Sequence, residues 1–207
     1  MKPDAIIIRH SECGLPNSLK SYVDCPILNA GDGKNAHPTQ ALLDLFTIME
    51  HFNYDVKDKN IAIVGDVFNS RVASSNLELL PRFGLKPILV TPKEFRVVSQ
   101  YKTVKNINKV IDKLDIIMSL RVQHERHTFT LSDNELEENT KKYSKKYCIT
   151  KKMMGSRDIL LMHPGPVNRN IDISDEMLED PRSKVLEQVR NGVAVRMACL
   201  KKLILNQ

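Results

Sequence analysis

LNAGDGKNAHPTQALLDLFTI, residues 28–48, decides how this chain is read. It opens on the end of a short apolar run, PILNA (26–30), with the composition of a buried strand. It crosses a polar loop whose Gly31 and Gly33 permit a tight turn. It then enters a helix. Pro38 suits the first helical position, which leaves His37 at or near the N-cap. Leu42, Leu45, Phe46 and Met49 fall at helical spacing on one face. The loop thus delivers His37 and Gln40 to a helix N-terminus, where exposed N–H groups and the dipole favour an anion. Taken alone, an ordinary helix start with His37 as a structural hydrogen-bonder is the plainer reading. The dense polar run GDGKNAHPTQ ahead of an apolar helix weakens it.

Outward from this stretch, strand-like runs alternate with helix-like ones, which argues for an α/β fold with a parallel sheet covered by helices. The strand candidates are AIIIR (5–9), PILNA (26–30), NIAIVG (60–65), KPILV (86–90), DIIMSL (115–120) and DILLM (158–162). A second helix is expected to start near Asn69 or Ser70 and to end before Gly84. A long C-terminal helix is expected over about 183–203, with Val185, Leu186, Val189, Val193 and Met197 as apolar positions. The piece before residue 38 carries two strands around SECGLPNSLKSY. Two strands and one crossover cannot bury both faces of a sheet, so the sequence reads as if it begins partway through a larger fold.

Composition narrows the function classes. The chain has 207 residues, 42 % of them hydrophobic. No apolar run is long enough to cross a membrane as a helix, and MKPDAIIIRH lacks the pattern of a secretory signal. The four cysteines, Cys13, Cys25, Cys148 and Cys199, show no CxxC pair, so free thiols and a cytoplasmic location are expected. Much of the net charge of +6 sits in KKYSKKYCITKK (141–152). A solvated helical face is the expected reading there, rather than a nucleic-acid surface.

Ligands of open α/β sheets bind beyond the carboxyl ends of the strands. Arg9 and His10 follow the first strand. Arg71 follows NIAIVGDVFNS and falls in the first turn of a helix, where a cation is disfavoured unless an anion offsets it. An exposed arginine turned away from the helix end explains it equally well. Arg121 and Gln123 follow DIIMSL and point to one side of an extended segment; a guanidinium fork there matches a carboxylate. A surface loop is the plainer alternative, but Arg9, Arg71 and Arg121 all follow strand ends. HPGP (163–166) follows DILLM, and its prolines donate no N–H, so the loop can present carbonyl oxygens. A Gly–Pro bond can also be cis, although from these four residues a simple turn suffices. No GxGxxG, P-loop, GxSxG or HExxH occurs, and neither a cofactor nor a metal is expected.

LNAGDGKNAHPTQALLDLFTI, GDVFNSRVASSN (65–76), SLRVQHER (119–126) and LMHPGPVNR (161–169), in this order, closely resemble the catalytic chains of the aspartate carbamoyltransferase family. The resemblance covers nearly the whole chain. It implies a parallel-sheet carbamoyltransferase fold. It also implies transfer of the carbamoyl group from carbamoyl phosphate to the amine of L-aspartate, giving N-carbamoyl-L-aspartate and phosphate, in de novo pyrimidine biosynthesis. Residues 1–37 would be the end of the carbamoyl-phosphate domain, 38–52 a linking helix, 53–182 the aspartate domain, and 183–207 a helix returning to the first domain. Arg9 and His37 would bind the carbonyl oxygen of carbamoyl phosphate. Gln40 and the backbone carbonyls of Gly165 and Pro166 would take its NH2 group. Arg71 and Arg121 would grip the aspartate carboxylates, with Gln123 assisting. The family forms trimers, some with regulatory or dihydroorotase chains.

The family's phosphate-binding Ser-Thr-Arg-Thr motif and its lysine-bearing loop are not found, so little or no activity is expected of these 207 residues by themselves. An ornithine-using relative is the nearest alternative. Its relatives tend to carry a cysteine in the loop matching HPGP, where Gly165 stands here. A non-catalytic carbamoyltransferase-like chain is the other.

Overall fold

The computed structural model describes residues 2–122 and 133–205. β1 (Ile6–His10) pairs in parallel with β2 (Ile27–Asp32), with α1 (Leu15–Ser18) between them. These form a separate two-stranded sheet. α2 (Pro38–His51) leads away from it. The second sheet has five parallel strands: β3 (Asn60–Val64), β4 (Lys86–Val90), β5 (Lys102–Val104), β6 (Ile116–Ser119) and β7 (Leu160–Met162), in the order β5-β4-β3-β6-β7. α3 (Arg71–Leu79) joins β3 to β4, and α4 (Asp133–Tyr147) and α5 (Lys151–Met154) lie between β6 and β7. α6 (Asp175–Leu178) and the long α7 (Val185–Leu205) complete the chain.

Every predicted strand is present within a few residues; β5 was not among them. Its three residues are exposed or half-buried at the sheet edge, too short and too little apolar to register as a pattern. The core follows the two-residue period of a strand buried on both sides. In β3, Ile61 and Ile63 pack on one face of the sheet with Leu89, Ile116, Met118 and Leu160. Ala62 and Val64 pack on the other with Val90, Ile117 and Leu161.

Two helix readings need correction. Leu42, expected on the buried face of α2, is exposed, whereas Ala41, Leu43, Asp44, Leu45, Thr47 and Ile48 are buried. α2 is buried on most sides, and its less buried stripe is Pro38, Leu42, Phe46, Met49 and Glu50, so Phe46 and Met49, also expected inside, are only half-buried. In α7, Leu186, Val189, Val193 and Met197 are exposed, and the buried residues are Gln188, Asn191 and Gly192. α7 meets α2 through small and polar groups. A Cβ on Gly192 would lie 3.2 Å from Leu43 Cδ2, and Asn191 Nδ2 donates to Thr47 Oγ1 at 3.1 Å.

Among the described residues no helix is long and apolar enough to cross a membrane. On α4, Lys141, Lys142, Lys145 and Lys146 are exposed. Lys141 and Lys142 pair one turn back with Glu137 and Glu138, while Tyr143 and Tyr147 stack and pack toward the core. The lysines of 141–146 thus lie on a solvated face of α4, while Cys148 and Ile149, later in the same run, are buried and outside the helix.

Candidate functional site

The loop from β2 to α2 is built around glycine and one buried carboxylate. Between the pairs Ile8–Asn29 and His10–Asp32, β2 carries one residue more than β1, a bulge opposite Arg9. Gly31 lies in the bulge at φ 119°. A Cβ there would sit 2.8 Å from both Cζ and Nε of Arg71, so the Arg71 side chain lies flat against this backbone. Arg71 Nη1 also donates to the Gly33 carbonyl at 3.2 Å. Asp32, buried, accepts from the Ala36 N–H at 2.8 Å and the Gly14 N–H at 3.1 Å, which closes the loop.

His37 is the N-cap of α2 and Pro38 its first residue. The His37 side chain makes no cap bond; its backbone N–H donates to Ser75 Oγ on α3 at 2.9 Å. His37 is 8 % exposed and its Nδ1 has no hydrogen-bond partner among the described residues. Burial, reinforced by the charges of Arg71, Arg196 and Arg9, pushes its pKa from 6.5 down to about 4. At neutral pH His37 is therefore an uncharged imidazole that can donate one N–H without adding a cation.

Arg9 from β1, Arg71 from the start of α3 and Arg196 from α7 thus all act on one histidine. Ser70 caps α3, accepting from the Ala73 N–H at 3.1 Å, and fixes where Arg71 emerges. Gln40, one turn into α2, is buried, and its Oε1 accepts from Arg196 Nη2 at 3.3 Å. Arg121 is half-buried just past the end of β6, whose Ser119 pairs with Val64 at the end of β3. Gln123 lies outside the described residues.

The turn after β7 is held from both sides. The Gly165–Pro166 bond is cis. The Gly165 N–H donates to His163 Nδ1 at 2.9 Å, so that nitrogen carries no proton and Nε2–H faces Asp172 Oδ2 at 3.2 Å. Asp172, fully buried, also accepts from the Asn168 N–H at 2.9 Å and, at 3.4 Å, from the N–H of Val122, next to Arg121. One carboxylate thus ties the turn at 163–166 to the segment that carries Arg121.

Sequence reasoning missed Arg196, Asp44 and Asp172. For Arg196 a signal existed: Gln188, Gly192 and Arg196 recur every four residues on one face of α7. The apolar positions beside that stripe are more conspicuous in the sequence, but they face outward. Asp44 stands one turn after Gln40 in an apolar helix, a place where a carboxylate needs partners.

Comparison with known proteins identifies the family. Sequence models of two families match: the aspartate/ornithine carbamoyltransferase carbamoyl-P binding domain over residues 1–50, and the aspartate/ornithine carbamoyltransferase Asp/Orn binding domain over residues 57–203. The aspartate carbamoyltransferase catalytic subunit of Aliarcobacter butzleri is 64 % identical over 207 residues, which is 100 % of this chain and 68 % of that protein. The catalytic subunit of M. jannaschii aspartate transcarbamoylase superposes with a TM-score of 0.85 at 32 % identity, over 99 % of this chain and 67 % of that one. A Trypanosoma cruzi aspartate transcarbamoylase, solved in complex with carbamoyl phosphate and aspartate, superposes with a TM-score of 0.81 at 28 % identity, over 95 % of this chain and 64 % of that one. The chain thus spans about two thirds of the length of these relatives.

Proposed function

This chain belongs to the aspartate/ornithine carbamoyltransferase family, and on that premise we propose that it carries out carbamoyl transfer from carbamoyl phosphate to the amine of L-aspartate, yielding N-carbamoyl-L-aspartate and phosphate. The observation that carries the reading is the buried His37 at a helix N-terminus, its Nδ1 without a partner among the described residues, with Arg71 held on the same loop and Arg196 on Gln40 one turn on. Two anionic substrates need cations of this kind, and the carbonyl oxygen of one needs a hydrogen-bond donor beside them.

Arg9 and His37 stabilise the negative charge that grows on the carbonyl oxygen as the uncharged amine attacks the carbamoyl carbon. Gln40 and the backbone carbonyls at Gly165 and Pro166 accept from the carbamoyl NH2 group. Arg71 and Arg121 hold the two carboxylates of aspartate, with Gln123 assisting. The new C–N bond forms, the C–O bond to phosphate breaks, and the departing phosphate takes the amine proton. No covalent intermediate with the chain is required, and much of the rate comes from holding two anions in line. Two arginines suit a dicarboxylate rather than ornithine, whose side chain ends in a cation.

Within this reading, residues 1–37 close the donor domain, 38–52 link it to the aspartate domain of 53–182, and 183–207 return to the donor side. The expected setting is the cytoplasm, in a homotrimer serving pyrimidine synthesis.

The test is a carbamoyl-transfer assay with aspartate, and with ornithine as control. It uses the chain as it stands and the chain joined to the N-terminal third of the Aliarcobacter butzleri subunit. Aspartate-dependent phosphate release in either form supports the reading. Preference for ornithine, or silence in both forms, refutes it.

A further inference from the structure

Asp44 lies fully buried where α2, α3 and α7 meet. Its Oδ1 accepts from Gln40 Nε2 at 2.9 Å and from Gln188 Nε2 at 2.8 Å; its Oδ2 accepts from Asn76 Nδ2 at 2.9 Å. Each of these amides is fixed by a second bond. Gln40 Oε1 accepts from Arg196 at 3.3 Å. Gln188 Oε1 accepts from the His163 N–H at 2.8 Å. Asn76 Nδ2 also donates to the Val72 carbonyl at 3.1 Å. Turning any of them over would set N–H against N–H or oxygen against oxygen. Only a group that accepts at both ends satisfies all three, and that group is an ionised carboxylate.

We propose that Asp44 is a positioning residue for recognition of the carbamoyl NH2 group: it keeps the Gln40 amide with its oxygen toward the ligand and, through Gln188, holds the turn at 163–166. The proposal rests on the carbamoyl-transfer reading. Gln40 and the turn come from elements far apart in sequence, and Asp44 reaches both through hydrogen bonds alone. The acceptors for the donor's NH2 group therefore keep a fixed spacing.

The experiment compares carbamoyl phosphate with acetyl phosphate, in which a methyl group replaces the NH2 and donates nothing. D44A, Q40A and the double variant are assayed in whichever form of the chain is active. Losing one fixed acceptor should lower kcat/KM for carbamoyl phosphate about tenfold in D44A, with acetyl phosphate changed less than about twofold. In the Q40A background, D44A should cost less than in the parent chain, keeping only the part that passes through Gln188 and the turn. Equal losses with both donors, or independent effects of D44A and Q40A, would overturn the proposal. If D44A does not fold, D44N decides. A drop of about threefold or more in the same donor ratio, smaller in the Q40A background, is expected, and an unchanged ratio overturns the proposal. The side-chain amide resonances of Gln40 and Gln188 separate the two readings. No turnover with both resonances shifted by D44N sinks the functional reading alone; turnover with neither shifted sinks this one.

Discussion

Gly31→Ala tests whether the glycine loop exists to seat Arg71. At φ 119° an L-residue is held in a region that costs about 1–3 kcal/mol. For a chain of this size about 2 kcal/mol corresponds to a fall in Tm of about 5 °C. The new methyl would also meet Arg71 Cζ and Nε at 2.8 Å and Cδ at 3.3 Å. Carbon contacts settle near about 3.5–4 Å, so the guanidinium must retreat by about 1 Å. Because Arg71 is a long side chain it can move, and the consequence falls on function rather than folding. Misplacing a substrate-holding group by that much costs up to about a hundredfold, so kcat/KM for aspartate should fall by one to two orders of magnitude. The KM for carbamoyl phosphate should change far less. Gly14→Ala is the control: Gly14 also has positive φ, at 86°, but nothing lies within 4 Å of its Cβ position. It should lower Tm while leaving aspartate kinetics intact. If G31A and G14A gave the same aspartate kcat/KM, Arg71 would not owe its position to this loop, and the argument would fail.

Two further outcomes follow from buried groups and one cap. His37 is depressed from 6.5 to about 4. The unfolded chain therefore binds the extra proton between those values, and the stability His37 allows at neutral pH, about 3 kcal/mol, is lost as pH falls through that window. Burial raises Asp44 from 3.8 to about 6 against its hydrogen bonds; here the folded chain binds the extra proton, and stability falls as pH rises from about 4 to 6. The two slopes oppose each other, so denaturant titrations from pH 4 to 6 should show D44N gaining stability with rising pH more steeply than the parent. A shallower slope would contradict these assignments. Ser70→Ala removes the cap on the Ala73 N–H and should cost about 1 kcal/mol, read as a shift in urea midpoint at unchanged m-value; no shift would mean that tertiary contacts alone hold the start of α3.

The pattern of short, β-branched strands alternating with helices was legible in the sequence because strands buried on both faces must be apolar through their middle, as residues 61–64 of β3 and 116–118 of β6 are. The places of Arg121 just past β6, Arg71 at the start of α3 and His37 at the start of α2 were legible for a related reason, whereas Arg9 and His10, expected to follow the first strand, lie inside β1 because it pairs on to Asp32. Glycine, proline and capping residues mark where a chain must turn, and backbone constraints of that kind are local. What the sequence did not disclose is which faces of α2 and α7 are inside. Hydrophobicity predicts burial only where the partner surface is apolar, and these helices meet through Gln188, Asn191, Gly192, Asp44 and Thr47. Tertiary structure alone decided that Arg196 faces Gln40, that Asp44 unites three amides, and that Asp172 binds the turn at 163–166 to the strand end carrying Arg121. Each joins residues distant in the chain through directed hydrogen bonds. A directed bond depends on two positions brought together in space, and no periodicity along a single segment encodes it.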